Sequence, residues 1–236
     1  MFTKIAKSKF FDLIGVLIVV LTAYFSGYLF ETLRQVTQWG SWSKLVPFGV
    51  ISAVSAIISL MSDRLTARLN NLGNWIGLIG IVLSAIVDYL LGNKGAIFTY
   101  PITFVIQAWA IKVWIRSDRY KAKRPLAGIK GLLEVGLFFA FSMTISFVIN
   151  YAGFHRINVL YVVTSLIFGL SLTANFLNAM KLTVQWPFWV AYNLIQLVKA
   201  IIQGNFANVG KYIYYIANST AGLALWHRSR NYNVAE

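Results

Sequence analysis

Apolar residues gather into eight blocks along the chain, at about residues 10–30, 45–62, 72–92, 95–116, 130–150, 157–178, 185–203 and 207–227. Inside each block the apolar character runs on without period-two alternation. Each length is near the ~20 residues that a helix needs to cross a hydrocarbon core of about 30 Å. Barrel strands would instead show alternating stretches of about ten residues. The pattern therefore predicts an all-α fold, a polytopic helical membrane protein. The second block is the weakest, interrupted by Ser52, Ser55 and Ser59. The seventh opens at Pro187, a residue accommodated in a first helical turn.

A repeat is visible at one constant offset: Gly92-Asn93 recurs as Gly204-Asn205, Tyr100 as Tyr212, Trp114 as Trp226 and Arg116 as Arg228. The repeating unit is three blocks long, 45–116 and then 157–228. Three spans reverse the direction of the chain, so a second copy in the same orientation needs one linking span, which block 130–150 supplies. The expected architecture is a 3+1+3 core of parallel repeats, the class to which the sugar-facilitating SWEET proteins belong, with an extra N-terminal helix. The chain then divides into an N-terminal helix and loop (1–44), a first repeat (45–116), a basic loop and linking helix (117–156), a second repeat (157–228) and a tail (229–236).

Composition sharpens this picture by exclusion. The chain is 58% hydrophobic and 12% charged, against about 45–50% and 25% for soluble domains. That excludes a water-soluble enzyme, and the same richness in apolar residues excludes a disordered chain. A net charge of +14, from 21 Lys+Arg against 7 Asp+Glu, would suggest nucleic acid on a soluble protein. Here the positions decide otherwise. With a cytoplasmic N-terminus, 14 of the basic residues fall inside, among them Arg64, Arg68 and the cluster at 116–130. Four fall outside (Arg34, Lys44, Lys94 and Arg156), and Lys112, Lys199 and Lys211 sit near span ends, where long side chains snorkel. This is a positive-inside distribution with both termini cytoplasmic, expected of a multi-pass bacterial inner-membrane protein. The lipid bilayer is then the partner of the apolar surface, a homo-oligomer is compatible with it, and no nucleic-acid partner is expected.

Cysteine is absent, and His155 and His227 fall in expected loops. No disulfide, thiolate nucleophile, metal centre or cofactor follows, and a membrane enzyme lacks its acid–base pair. The first block is too long for a signal-peptide core and no small-residue cleavage pattern follows it.

Candidate chemistry concentrates in Gln185-Trp186-Pro187-Phe188-Trp189-Val190-Ala191-Tyr192-Asn193. Trp186, Trp189 and Asn193 are spaced i, i+3, i+7 and share one helical stripe. Asn193 lies about 10 Å deeper than Trp186, near mid-span, where an amide must face protein or a cavity. Gln196, one turn further on, extends the stripe. An interfacial Trp anchor with a helix-packing Asn would account for the same residues, but Trp189 sits about a turn inside the usual belt. Gln107 lies halfway along its block, and its repeat mate Ser219 lies within Asn218-Ser219-Thr220 at the same depth. Polar groups at the midplane of equivalent helices suggest a site between the halves. Of the carboxylates, Asp12 and Glu134 fall at span ends and Asp88 near an outer end; Asp88 is kept as a candidate. With no carboxylate placed at mid-depth, passive facilitation without ion coupling is expected. An inventory of amides, hydroxyls and aromatic rings suits a flat heterocycle, neutral or a delocalised cation, that carries hydroxyl groups. A phosphate ester would call for Lys, Arg or a helix N-terminus.

The Trp-Pro-Phe-Trp-Val-Ala-Tyr-Asn run, on the second helix of the second repeat, resembles the W-x-x-W-x-x-x-N signature of the PnuC family of vitamin transporters. The resemblance covers about residues 45–228. It implies uptake of a small-molecule substrate, nicotinamide riboside above all, by facilitated diffusion and alternating access, with trapping inside the cell by a separate kinase. It also implies that Trp186, Trp189 and Asn193 contact the substrate. The first repeat has Asn74, Gly77 and Ile81 at the matching offsets, so an asymmetric site is expected. Thiamine, riboflavin or a sugar on the same fold stay open at this point.

Overall fold

The computed structural model describes residues 8–37, 40–116 and 128–231. Eight long helices carry these residues: α1 Lys9–Phe25, α2 Phe48–Ala67, α3 Leu72–Leu90, α4 Ala96–Arg116, α5 Gly128–Phe154, α6 Val159–Ala179, α7 Gln185–Ile202 and α8 Phe206–Asn231. Each corresponds to one apolar block of the sequence. Five of them, α2 to α6, are long and apolar enough to cross a membrane by length and composition. Lys4, Lys7 and the loop residues Arg119, Lys121, Lys123 and Arg124 lie outside the described residues, as do the tail 232–236 and the side chains of Arg228 and Arg230.

Local chemistry sets the helix ends. The Ser8 hydroxyl accepts from the Phe11 N–H at 3.2 Å to open α1, and the Asn158 amide oxygen accepts from the Tyr161 N–H at 2.7 Å to open α6. Helix α1 stops at Phe25, short of the apolar block's end, because Gly27 adopts φ 77° and turns the chain into a 3-10 turn at Tyr28–Phe30. Helix α2 instead runs past its block to Ala67, because the charges there are accommodated within the fold. Arg64 is 0% exposed; its Nε donates to Asp12 on α1 at 2.6 Å and its Nη1 to Asn218 on α8 at 2.7 Å. Arg68 also pairs with Asp12. Arg64 is therefore no cytoplasmic-loop residue, as its charge alone suggested. His227 likewise lies on α8 rather than in a loop.

The repeat recurs in backbone geometry. Gly92 and Gly204 both take positive φ, 93° and 64°, just after α3 and α7. Leu69 and Lys181, separated by the same offset, take φ 58° and 56° just after α2 and α6. Around the second pair the same two bonds close: Leu69 N–H to Thr66 and Asn70 N–H to Leu65 in one copy, Lys181 N–H to Asn178 and Leu182 N–H to Leu177 in the other, all at 2.9 Å. A left-handed conformation costs a non-glycine residue about 1–2 kcal/mol. Its appearance at both equivalent positions marks a shared turn.

Helices α2–α4 form one unit and α6–α8 the other. The units meet along two seams, α4 against α6 and α8 against α2. Helix α5 packs over the first seam and α1 over the second. The N-terminal helix, outside the repeat in sequence, thus takes the place about the pseudo-two-fold axis that the linking helix takes on the opposite side. Small residues permit close approach within a unit: a Cβ on Gly73 would stand 2.6 Å from the Ser62 carbonyl oxygen.

Candidate binding cavity

Between the two units lies a cavity of ≈ 160 Å³, room for on the order of ten waters. All six repeat helices line it, and neither α1 nor α5 contributes among the described residues. Many lining residues are repeat mates: Ser59 and Ser171, Asp63 and Asn175, Thr66 and Asn178, Tyr100 and Tyr212. The cavity therefore lies about the axis that relates the halves. Side-chain size breaks the symmetry. Gly77 answers Trp189, Gly80 answers Tyr192 and Thr103 answers Tyr215. The first repeat contributes one aromatic ring to the lining, Tyr100, and the second contributes six, so the aromatic surface of the cavity belongs to the second repeat.

The aromatic wall is continuous. Trp189 meets Tyr192 edge-on with centroids 5.2 Å apart, Tyr192 meets Tyr212 at 6.3 Å, and Tyr212 meets Tyr215 at 5.8 Å. The Trp189 indole N–H donates to Gln185 Oε1 at 3.1 Å, which holds the ring in place. Trp186, also in the lining, stands edge-on to Trp226 at 5.5 Å. Gly222 makes room for it, since a Cβ there would come within 2.5 Å of the indole. Gln107 Nε2 donates to the Asn74 backbone and side-chain oxygens at 3.1 and 3.0 Å, and Asn178 Nδ2 donates to the same side-chain oxygen at 3.3 Å, tying α3, α4 and α6 together. Gln196 Nε2 donates to the Tyr192 hydroxyl at 2.7 Å. Among the described residues, the side-chain oxygens Gln196 Oε1 and Asn178 Oδ1 and the Trp186 indole N–H are buried without a partner. Such groups at a cavity are ready to bond a ligand.

Four charged side chains line the cavity: Asp63, Asp88, Lys199 and Lys211. Lys199 Nζ donates to both Asp88 oxygens, at 2.9 and 2.8 Å, and Asp88 also accepts from Asn93 at 2.7 Å and Tyr100 at 3.1 Å. This corrects two expectations. Lys199 and Lys211 do not snorkel, being 4% exposed each, and the inventory is not confined to neutral groups.

Of the residues expected to form the site, Trp186, Trp189, Gln107, Gln196 and Asp88 line the cavity. The other four do not. Asn193 is 1% exposed and donates to Ser219 Oγ at 2.9 Å, so the two brace α7 against α8 behind the wall. Asn218 accepts from Arg64, and the exposed Thr220 hydroxyl donates to its own helix at Ile216. Asn193 keeps the stripe of Trp186 and Trp189, but α8 closes over it through Ser219, while Asn218 is taken by Arg64 and Thr220 is exposed. Sequence reasoning missed Asp63, Lys199 and Lys211. One signal was present: Lys199 immediately precedes Ala200, the repeat mate of Asp88, which puts opposite charges at matching depth on α3 and α7.

Three comparisons bear on this arrangement. A family model described as nicotinamide mononucleotide transporter matches residues 49–228. The crystal structure of the vitamin B3 transporter PnuC superposes with a TM-score of 0.70 at 15% sequence identity, covering 94% of this chain and 92% of that one. No curated protein matches. The structural likeness concerns the fold.

Proposed function

Because the chain belongs to the nicotinamide mononucleotide transporter family, and is thus a multi-pass membrane transporter rather than an enzyme, we propose that it carries nicotinamide riboside across a bacterial inner membrane by facilitated diffusion. The observation that carries this reading is the one-sided cavity, lined by Trp189 and Tyr192 in the second repeat where the first has Gly77 and Gly80. A flat pyridinium stacked on an indole gains roughly 0.5–2 kcal/mol. Trp186 and Trp189 enclose the ring; Gln107, Gln196 and Asp88 border its amide and ribose. Asn193 acts from behind, through Ser219. The two halves rock about the cavity in alternating access, and a separate kinase traps the product inside, where both termini also lie.

The charge balance of the cavity supports transport without a coupling ion. Two carboxylates stand against two ammonium groups, so neither a proton nor a sodium ion is needed to neutralise it. The test is uptake into proteoliposomes. Labelled riboside should equilibrate, with an initial rate indifferent to an imposed proton or sodium gradient; accumulation driven by either gradient would contradict facilitation. A second reading, transport of the mononucleotide itself, is favoured by one observation, the presence of Lys199 and Lys211 in the lining. Competition by the mononucleotide at the riboside's own concentration would establish it.

A further inference from the structure

The two charge pairs of the cavity are built differently. Lys199 and Asp88 are in contact, and Asp88 is shared among further donors. Lys211 and Asp63 are not in contact. The Lys211 ammonium lies over the Tyr212 ring at 4.5 Å and the Tyr215 ring at 5.8 Å. It lines the same cavity as Asp63, yet the two form no contact ion pair among the described residues. Asp63, Lys211 and Tyr215 line the same cavity, whereas the neighbouring Arg64 turns away from it, toward Asp12 and Asn218.

Opposite charges in a low-dielectric interior attract strongly and pair directly unless something holds them apart. Here the aromatic faces hold the ammonium, and both groups look onto open cavity. The carboxylate therefore borders the same cavity as Trp189 and the tyrosines of the aromatic wall, presenting negative charge to whatever enters it.

We propose that Asp63 is the specificity-determining residue for a positively charged ring, and that Lys211 is its internal counter-ion, standing in for the ligand's charge while the cavity is empty. The proposal rests on the reading of this cavity as the riboside site. A cationic ring entering the cavity displaces Lys211 as the partner of Asp63, and the ammonium stays on the two tyrosines, where cation–π attraction retains it. The substrate gains a counter-charge but must compete for it. Binding is strong enough to select and weak enough to release, which a carrier without an energy source needs.

The test is calorimetric binding of two ligands of one shape, nicotinamide riboside and its neutral dihydropyridine form, to the purified full-length protein and two variants. Asp63→Asn should weaken the cationic riboside by at least about tenfold while leaving the neutral form within about twofold. Lys211→Met should tighten the cationic riboside by about tenfold and leave the neutral form unchanged. The second variant keeps the test decisive if the first fails to fold, because a gain of affinity cannot come from damage. Equal weakening of both ligands in Asp63→Asn, or loss of the riboside in Lys211→Met, overturns the inference and leaves the riboside reading intact. Tight binding of the mononucleotide that Lys211→Met abolishes would make Lys211 an anion site and overturn it too. Failure of the wild-type protein to bind either riboside overturns both readings.

Discussion

Trp114 and Trp226, mates across the repeat, each donate the indole N–H to a backbone carbonyl of the other repeat: Trp114 to Asn178 at 2.9 Å and Trp226 to Ala67 at 3.2 Å. Their rings meet at 6.1 Å. A sequence repeat has thus become a reciprocal clasp at one end of the cavity, next to Trp186. Both indoles are buried, so Trp226→Phe leaves the Ala67 carbonyl without this donor and should cost about 1–3 kcal/mol. Trp226→Ala should cost about 3–5 kcal/mol. Thermal unfolding in detergent measures both, and Trp114→Phe should match Trp226→Phe. A large inequality between the two would show that the clasp is not reciprocal in energy.

Gly92 and Gly204 offer a cleaner test of the repeat. A Cβ at Gly204 would meet nothing within 4 Å, and one at Gly92 only Leu160 at 3.6 Å. Alanine therefore costs the positive φ alone, about 1 kcal/mol at each position. The melting temperatures of Gly92→Ala and Gly204→Ala should fall by similar amounts. A loss at only one site would mean that the two turns are not equivalent.

Asp12 anchors α1 to the rest of the molecule through Arg64. Asp12→Asn removes the carboxylate from a fully buried guanidinium that keeps its bond to Asn218, and should destabilise by about 3 kcal/mol, the low end for a broken buried pair. The double variant Asp12→Leu with Arg64→Met should recover most of that loss in the same melt. No recovery would mean that the network is required for the packing of α1 itself.

The eight helices were legible because a membrane span has a length and a composition that few other structures share. Where the boundaries moved, the cause was a residue that the apolar pattern weighs wrongly: Gly27, which ended α1 early, and Asp63 and Arg64, which α2 carries inside. The repeat offset was legible, and it foretold the asymmetric cavity in Gly77 and Trp189. The charges of the cavity were not legible in the same way. Lys199 and Lys211 lie near helix ends, where snorkelling is the ordinary fate of a lysine, and only the folded arrangement shows what they meet: Asp88 of α3 for Lys199, and the Tyr212 and Tyr215 rings for Lys211. Depth and relative phase along a helix can be counted from the sequence, but which element covers each face is fixed by neighbours far away in the chain. Asn193 shares the stripe of Trp186 and is covered by Ser219 of α8, Asn218 is taken by Arg64 from α2, and Thr220 is exposed.

That distinction can be measured. Trp189→Ala removes the platform of the cavity and should weaken riboside binding by about 1–3 kcal/mol, the usual worth of stacking a base on an aromatic ring. Asn193→Leu breaks the bond to Ser219 behind the wall; it should lower thermal stability by about 1–3 kcal/mol and weaken binding less than Trp189→Ala does. Trp75→Ala, at a half-exposed position away from the lining, should change neither. Greater loss of binding in Asn193→Leu than in Trp189→Ala would place the amide in direct contact with the ligand.

Whether this cavity receives a pyridinium riboside is tested most directly by calorimetry on the purified protein with nicotinamide riboside, thiamine, riboflavin and glucose in parallel. Saturable binding of nicotinamide riboside is expected in preference to the other three, lost in Trp189→Ala. Binding of glucose or another vitamin in its place, or riboside binding untouched by Trp189→Ala, would contradict it.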